Sequence, residues 1–124
     1  MPSDRTLLAL LDIRDNARLA PSFIEGMSLA QFKSDRRTVY AVSRCLEIIS
    51  EAARRLSPEL RERHPDQPWR AIMGLGNVFR HDYDNVAEEI LWRTVHASLP
   101  SLLSAIEPEI ASMTPRAGPD VPGH

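Results

Sequence analysis

Apolar residues recur at three- and four-residue steps along most of the chain, the spacing that gathers them on one side of an α-helix. From Asp4 to Ile24 the stripe is Leu7, Leu10, Leu11, Ile13, Ala17, Ala20 and Ile24, with Arg5, Asp12, Asp15 and Arg18 between its members. This predicts an amphipathic helix of about five turns, whose end Pro21 obscures because its ring removes an amide donor. Gly26 to Ser34 reads as a connector. Asp35, a good N-cap, opens a second helix that continues to about Leu56. Val39, Val42, Leu46, Ile49, Ala53 and Leu56 form its stripe, while Arg36, Arg37, Arg44, Glu47, Glu51, Arg54 and Arg55 lie mostly off it. Two apolar stripes of this length are expected to pack on one another.

Proline punctuates the remainder. Ser57-Pro58 places an N-cap before a proline at the first helical position, and His64-Pro65 closes the short helix so begun. Asp66-Gln67-Pro68-Trp69 repeats the start and opens a third segment to about Tyr83. Asn85 with Glu88 resembles a capping box and opens the last helix. That helix is lined by Val86, Ile90, Leu91, Val95, Leu99, Leu102, Leu103 and Ile106, with a kink expected at Pro100. From Pro108 onward, Pro115, Gly118, Pro119, Pro122 and Gly123 leave too little apolar material to fold. The expected organisation is a folded domain over 1–107 and a largely disordered tail over 108–124. With no strand-type alternation, hairpin dipeptide or glycine-rich phosphate loop to compete, an all-α bundle follows.

Composition narrows the classes. A chain of 124 residues carries a single core, and 43% apolar with 26% charged residues excludes a wholly disordered or fibrous chain. No stretch approaches the roughly 18 apolar residues of a membrane helix, and Asp4 interrupts any signal-peptide pattern, so a cytoplasmic protein is expected. Cys45 has no partner for an internal disulfide and reads as a small buried residue. The net charge of −2 lacks the excess of a passive nucleic-acid coat, so a polyanion needs a local site. Lys33 is the single lysine among 15 lysine and arginine residues. Guanidinium is the better bidentate partner for phosphate, although genomic base composition also produces such a ratio.

The stretch from Gly74 to Asp84 concentrates the chemistry. If residues 72–86 form one helix with Asn77 at zero, Ile72, Leu75, Val78, Phe79 and Val86 fall on an apolar face between about 100° and 220°. Arg80, Asp84, Asn77 and His81 lie opposite, and Tyr83 at the margin. A cation to neutralise phosphate beside an imidazole that shuttles a proton suits phosphodiester chemistry, and Arg80 favours the neutral, basic form of His81. The same letters also describe a solvated face. Elsewhere, His64 and His96 read as surface residues and His124 belongs to the tail. No histidine spacing forms a metal motif. Glu47 and Glu51 read as i,i+4 partners of Arg54 and Arg55, or alternatively as carboxylates ordering the arginines of the motif. Trp69 and Trp92 read as core anchors.

The run Trp69-Arg70-Ala71-Ile72-Met73-Gly74-Leu75-Gly76-Asn77-Val78-Phe79-Arg80-His81-Asp82-Tyr83-Asp84, with Ile90-Leu91-Trp92 and Leu99-Pro100 after it, resembles the HepT branch of the HEPN superfamily. Upstream, Leu46-Glu47-Ile48-Ile49-Ser50-Glu51-Ala52-Ala53 is similar to that branch's Leu-Glu-x-Ile-Gly-Glu-Ala signature, with Ser50 in place of Gly. The resemblance spans about residues 4–107. It implies a HEPN-like up-and-down bundle of four main helices plus a short connecting helix, forming a homodimer through the motif helix. It also implies a composite endoribonuclease site that cuts RNA with neither metal nor cofactor. In toxin–antitoxin modules of this kind the partner is an MNT-type nucleotidyltransferase that AMPylates the motif tyrosine. By resemblance His81 is the motif histidine, Tyr83 the modified tyrosine and Asn77 the polar residue after the usual arginine.

That arginine is absent. The pattern is Arg, four residues, then His-x-Tyr, and Gly76 occupies the arginine's place. Arg80 stands one helical turn later, and because helical side chains lean toward the N-terminus it is placed to reach back over a residue without a Cβ. The expected catalytic set is therefore Arg80, His81 and Asn77. The alternative is a non-catalytic HEPN module that keeps the dimer and the nucleotidyltransferase contact but has lost cleavage.

Overall fold

The computed structural model describes residues 4–77 and 84–114, without the side chains of Asp4, Asp84 and Asn85. Its elements are α1 (Asp4–Ile24), α2 (Leu29–Ser34), α3 (Arg36–Arg54), α4 (Pro58–Glu62), α5 (Trp69–Met73), a 3₁₀ turn (Leu75–Asn77), α6 (Asp84–Arg93), a π-helical turn (Thr94–Ser98) and α7 (Leu99–Met113). No strand occurs among the described residues.

The two long stripes meet as expected. α1 runs along α3 and also packs on α7, while α3 touches α2, α5, the 3₁₀ turn and α6. Ala9, Leu10, Ile13, Ala17, Ala20 and Ile24 of α1 share one core with Val39, Val42, Cys45, Leu46, Ile49, Ala52 and Ala53 of α3. The last helical run closes that core with Leu91, Val95, Leu99, Leu102, Ile106 and Ile110. Trp69 and Trp92 pack against it. The Trp69 indole N–H donates to the carbonyls of Arg61 and His64, 3.1 and 3.0 Å away. Trp92 lies against Phe32, with ring centroids 5.5 Å apart.

The helix starts follow their local chemistry. The Asp35 carboxylate accepts the Thr38 amide at 3.2 Å, which holds its carboxyl below the usual range, and the Ser57 hydroxyl accepts the Leu60 amide at 3.2 Å. Gly26 to Ser34, expected as a connector, contains α2. Ser28 and Gln31 form a reciprocal capping box, and Phe32 anchors the helix in the core. Pro21 does not end α1, because the buried faces of Ala17, Ala20 and Ile24 hold the backbone helical around it. The turn after it uses Gly26 at φ +81°.

Three further expectations change. The kink at Pro100 takes the form of a π turn: proline has no amide to bond the carbonyl four residues back, and the Leu99 amide bonds the Thr94 carbonyl instead. The last helix does not stop near Pro108 but passes through it to Met113, burying Ile110. The expected tail beyond Thr114 lies outside the described residues. Val86, placed on the apolar face, is 50% exposed, and Ala87 and Glu88 are buried at that end of α6.

Candidate functional site

The segment leading into the motif is shaped by α3. The carbonyl of Met73, last residue of α5, accepts the Ser50 hydroxyl at 2.6 Å and the Arg54 guanidinium at 2.9 and 3.2 Å. In a continuing α-helix that carbonyl would receive the Asn77 amide. Here the Asn77 amide bonds the Gly74 carbonyl at 3.1 Å, which makes the tighter 3₁₀ turn. The expected single helix over 72–86 is therefore broken at Gly74, and angles laid out at 100° per residue do not carry from Ile72 to Asn77.

Asn77 is exposed at the end of the 3₁₀ turn. Arg80, His81 and Tyr83, the other expected site residues, lie outside the described residues. Gly76 faces α3: a Cβ there would stand 3.5 Å from Ser50 Oγ and 3.7 Å from Ser50 Cβ, ordinary contact distances. The two departures from the HepT motif, Ser50 and Gly76, thus oppose each other across the same contact. The spacing alone held the signal for the clamp, since residues 50 and 54 are one turn apart on one face of α3.

Beside α6, an open groove of about 410 Å³ is lined by Arg36, Tyr40, Ser43, Arg44, Glu47 and Glu88, among others. Arg36 lies over the Tyr40 ring, 5.4 Å from its centroid, and Arg44 pairs with Glu47 at 3.4 Å. The expected pairing of Glu47 and Glu51 with Arg54 and Arg55 is not the one formed. Arg54 turns to Met73, and Arg55 pairs with Asp12 at 3.0 Å, because the end of α3 offers better-placed acceptors.

His64 and His96 make contacts within the fold. His64, expected at the surface, is largely covered and meets Glu109 at 2.7 Å, and Arg63 grips the same carboxylate through two nitrogens at 2.8 and 3.1 Å. The Arg63 hydrogen bond, aided by His64, keeps the Glu109 carboxyl below its ordinary value despite the opposing effect of burial. His96 stacks on Trp92 at 4.3 Å, and its Nδ1 lies 2.8 Å from the Trp92 carbonyl. Cys45 is buried, which pushes its thiol up and disfavours the reactive thiolate. Among the described residues no group of three His, Cys, Asp or Glu side chains is arranged to hold a metal, and no helix is long and apolar enough to cross a membrane.

The described residues form an all-α bundle whose second long helix clamps the entry to the Gly76–Tyr83 motif. A profile of the family described as "Ribonuclease HepT-like" matches residues 13–109. A protein of Methanocaldococcus jannaschii named as an RNase is 33% identical over 98 residues, covering 79% of this chain and 90% of its own length. A Thermococcus cleftensis protein named as ribonuclease HepT is 34% identical over 98 residues, 79% of this chain and 89% of that one. A third, from Caldanaerobacter subterraneus and also named as an RNase, is 37% identical over 79 residues, 64% of this chain and 70% of its own. No solved structure matches the chain. The chain belongs to the HepT-like ribonuclease family, a branch of the HEPN superfamily.

Proposed function

We propose that this chain is the toxin of a HepT-like toxin–antitoxin module, a metal-independent endoribonuclease that cuts cytoplasmic RNA as a homodimer. The observation that carries the reading is the family match over 13–109, which encloses the whole motif from Gly76 to Tyr83. In this reading neutral His81 takes the proton of the attacking ribose hydroxyl and a protonated His81 gives a proton to the leaving oxygen, the two copies of the dimer sharing these tasks. Arg80 holds the scissile phosphate and offsets the charge that develops on it. Asn77 orients the imidazole or the substrate. An MNT-type nucleotidyltransferase modifies Tyr83 and thereby silences the site.

Purified protein incubated with an RNA pool in EDTA tests this. His81-dependent cleavage is expected, with the His81→Ala protein inert. One observation favours a second reading, in which the chain is a non-catalytic module that still dimerises and binds the nucleotidyltransferase. Gly76 stands where the family's motif has arginine and packs against Ser50. A folded dimer with no His81-dependent cleavage of any RNA selects that reading.

A further inference from the structure

At the end of α3 nearest the motif, Arg5, Leu8, Arg54 and Arg55 line an open depression of about 540 Å³. We infer that this depression binds a backbone phosphate of single-stranded RNA outside the cutting site. The inference rests on the ribonuclease reading for the identity of its ligand.

Three arginines line it, and the carboxylate paired with them is Asp12, 3.0 Å from Arg55. Two of the cations are held in place by the protein. Arg54 spends Nε and one terminal nitrogen on the Met73 carbonyl, and Arg55 spends one terminal nitrogen on Asp12, so each keeps N–H donors for a ligand. Held guanidiniums lose less freedom on binding than mobile ones.

Arg5 supplies the independent argument. It lies in the first turn of α1, where the helix dipole favours acids and disfavours a cation. It is exposed and has no hydrogen-bond or ion-pair partner among the described residues. Helix stability therefore does not favour a cation here, and an anion bound in the depression would offset that cost. Leu8, 59% exposed one turn on, gives a ribose or base an apolar surface to lie on. Arg54 ties the depression to the motif, because the carbonyl it holds opens the segment running through Gly76 and Asn77. RNA seated on the three arginines thus lies beside the start of the segment that runs through Gly76 and Asn77.

The test is fluorescence anisotropy of a labelled single-stranded RNA 20-mer of mixed sequence with the full chain, over a range of salt. Arg5→Glu suits the helix dipole and so leaves folding intact. It is expected to weaken binding about tenfold, and Arg5→Ala/Arg55→Ala to reduce the slope of log affinity against log salt by about 0.7 for each phosphate no longer neutralised. Arg18→Ala, further along α1, is the control and should bind as wild type. Equal losses in Arg18→Ala would show diffuse charge and overturn the site. So would unchanged RNA binding in both depression variants, the result expected if the arginines face an acidic protein surface instead. Cleavage is scored separately on the same proteins: depression-dependent binding without His81-dependent cutting supports the phosphate site and removes the ribonuclease reading, and cutting with Arg5-independent binding does the reverse.

Discussion

Two glycines carry opposed requirements. Gly26 sits at φ +81°, where a Cβ crowds the following carbonyl, so Gly26→Ala should destabilise by about 1–2 kcal/mol. Gly76 has no such backbone and an ordinary distance to Ser50, so Gly76→Ala should stabilise by about 0.4–1 kcal/mol through the unfolded chain. Thermal melts of the two variants check both signs. If Arg80 stands in for the arginine missing at 76, Arg80→Ala should abolish cleavage as fully as His81→Ala, and Gly76→Arg/Arg80→Ala should regain part of it. Because a side chain at 76 leaves toward Ser50, adding Ser50→Gly should increase that recovery. Undiminished cleavage by Arg80→Ala would end the substitution argument. Tyr83 makes a separate prediction. Mass spectrometry after incubation with the cognate nucleotidyltransferase and ATP should show adenylate additions that disappear in Tyr83→Phe, since a nucleotide there adds charge and bulk that block RNA.

Between elements, the ends of helices are secured by side chains from elsewhere. Ser50 and Arg54 stop α5 at Met73, and Glu109 joins the end of α4 to the last turns of α7 through Arg63 and His64. Folding lowers the Glu109 carboxyl from its ordinary 4.5, so the folded state favours its ionised form. The resulting stabilisation is fully present above about pH 4.5 and is lost as pH falls through the lower folded value. Glu109→Gln should therefore lower Tm at pH 7 and flatten the decline of stability below pH 4.5. Denaturant titrations at a series of pH values measure this, and an unchanged acid limb would show that the clasp does not contribute.

For the molecule as a whole, the proposed composite site requires two copies. Sedimentation equilibrium at micromolar concentration should give about twice the 14.0 kDa chain mass, and a value near one chain would remove the shared site. The helical spans from Asp4 to Ile24 and from Arg36 to Arg54, the proline and serine starts, and the membership signalled by the motif were legible in the letters alone. Each depends on local spacing: stripe periodicity sets a helix and its buried face, and a cap acts within one turn. The capping box Ser28-Leu29-Ala30-Gln31 was equally local, yet the apolar run after it is too short to advertise a helix. The break at Gly74, the burial of Glu88 in place of Val86 and the covering of His64 belong to another kind of information. They depend on which distant side chain reaches a given carbonyl or carboxylate, and residues 50, 54 and 109 arrive there only when the bundle closes. Sequence alone determined the two long helices α1 and α3 and the residues of the motif. Tertiary contact decided where α5 ends and how the motif is entered, because a helix continues only while its carbonyls are left for its own amides.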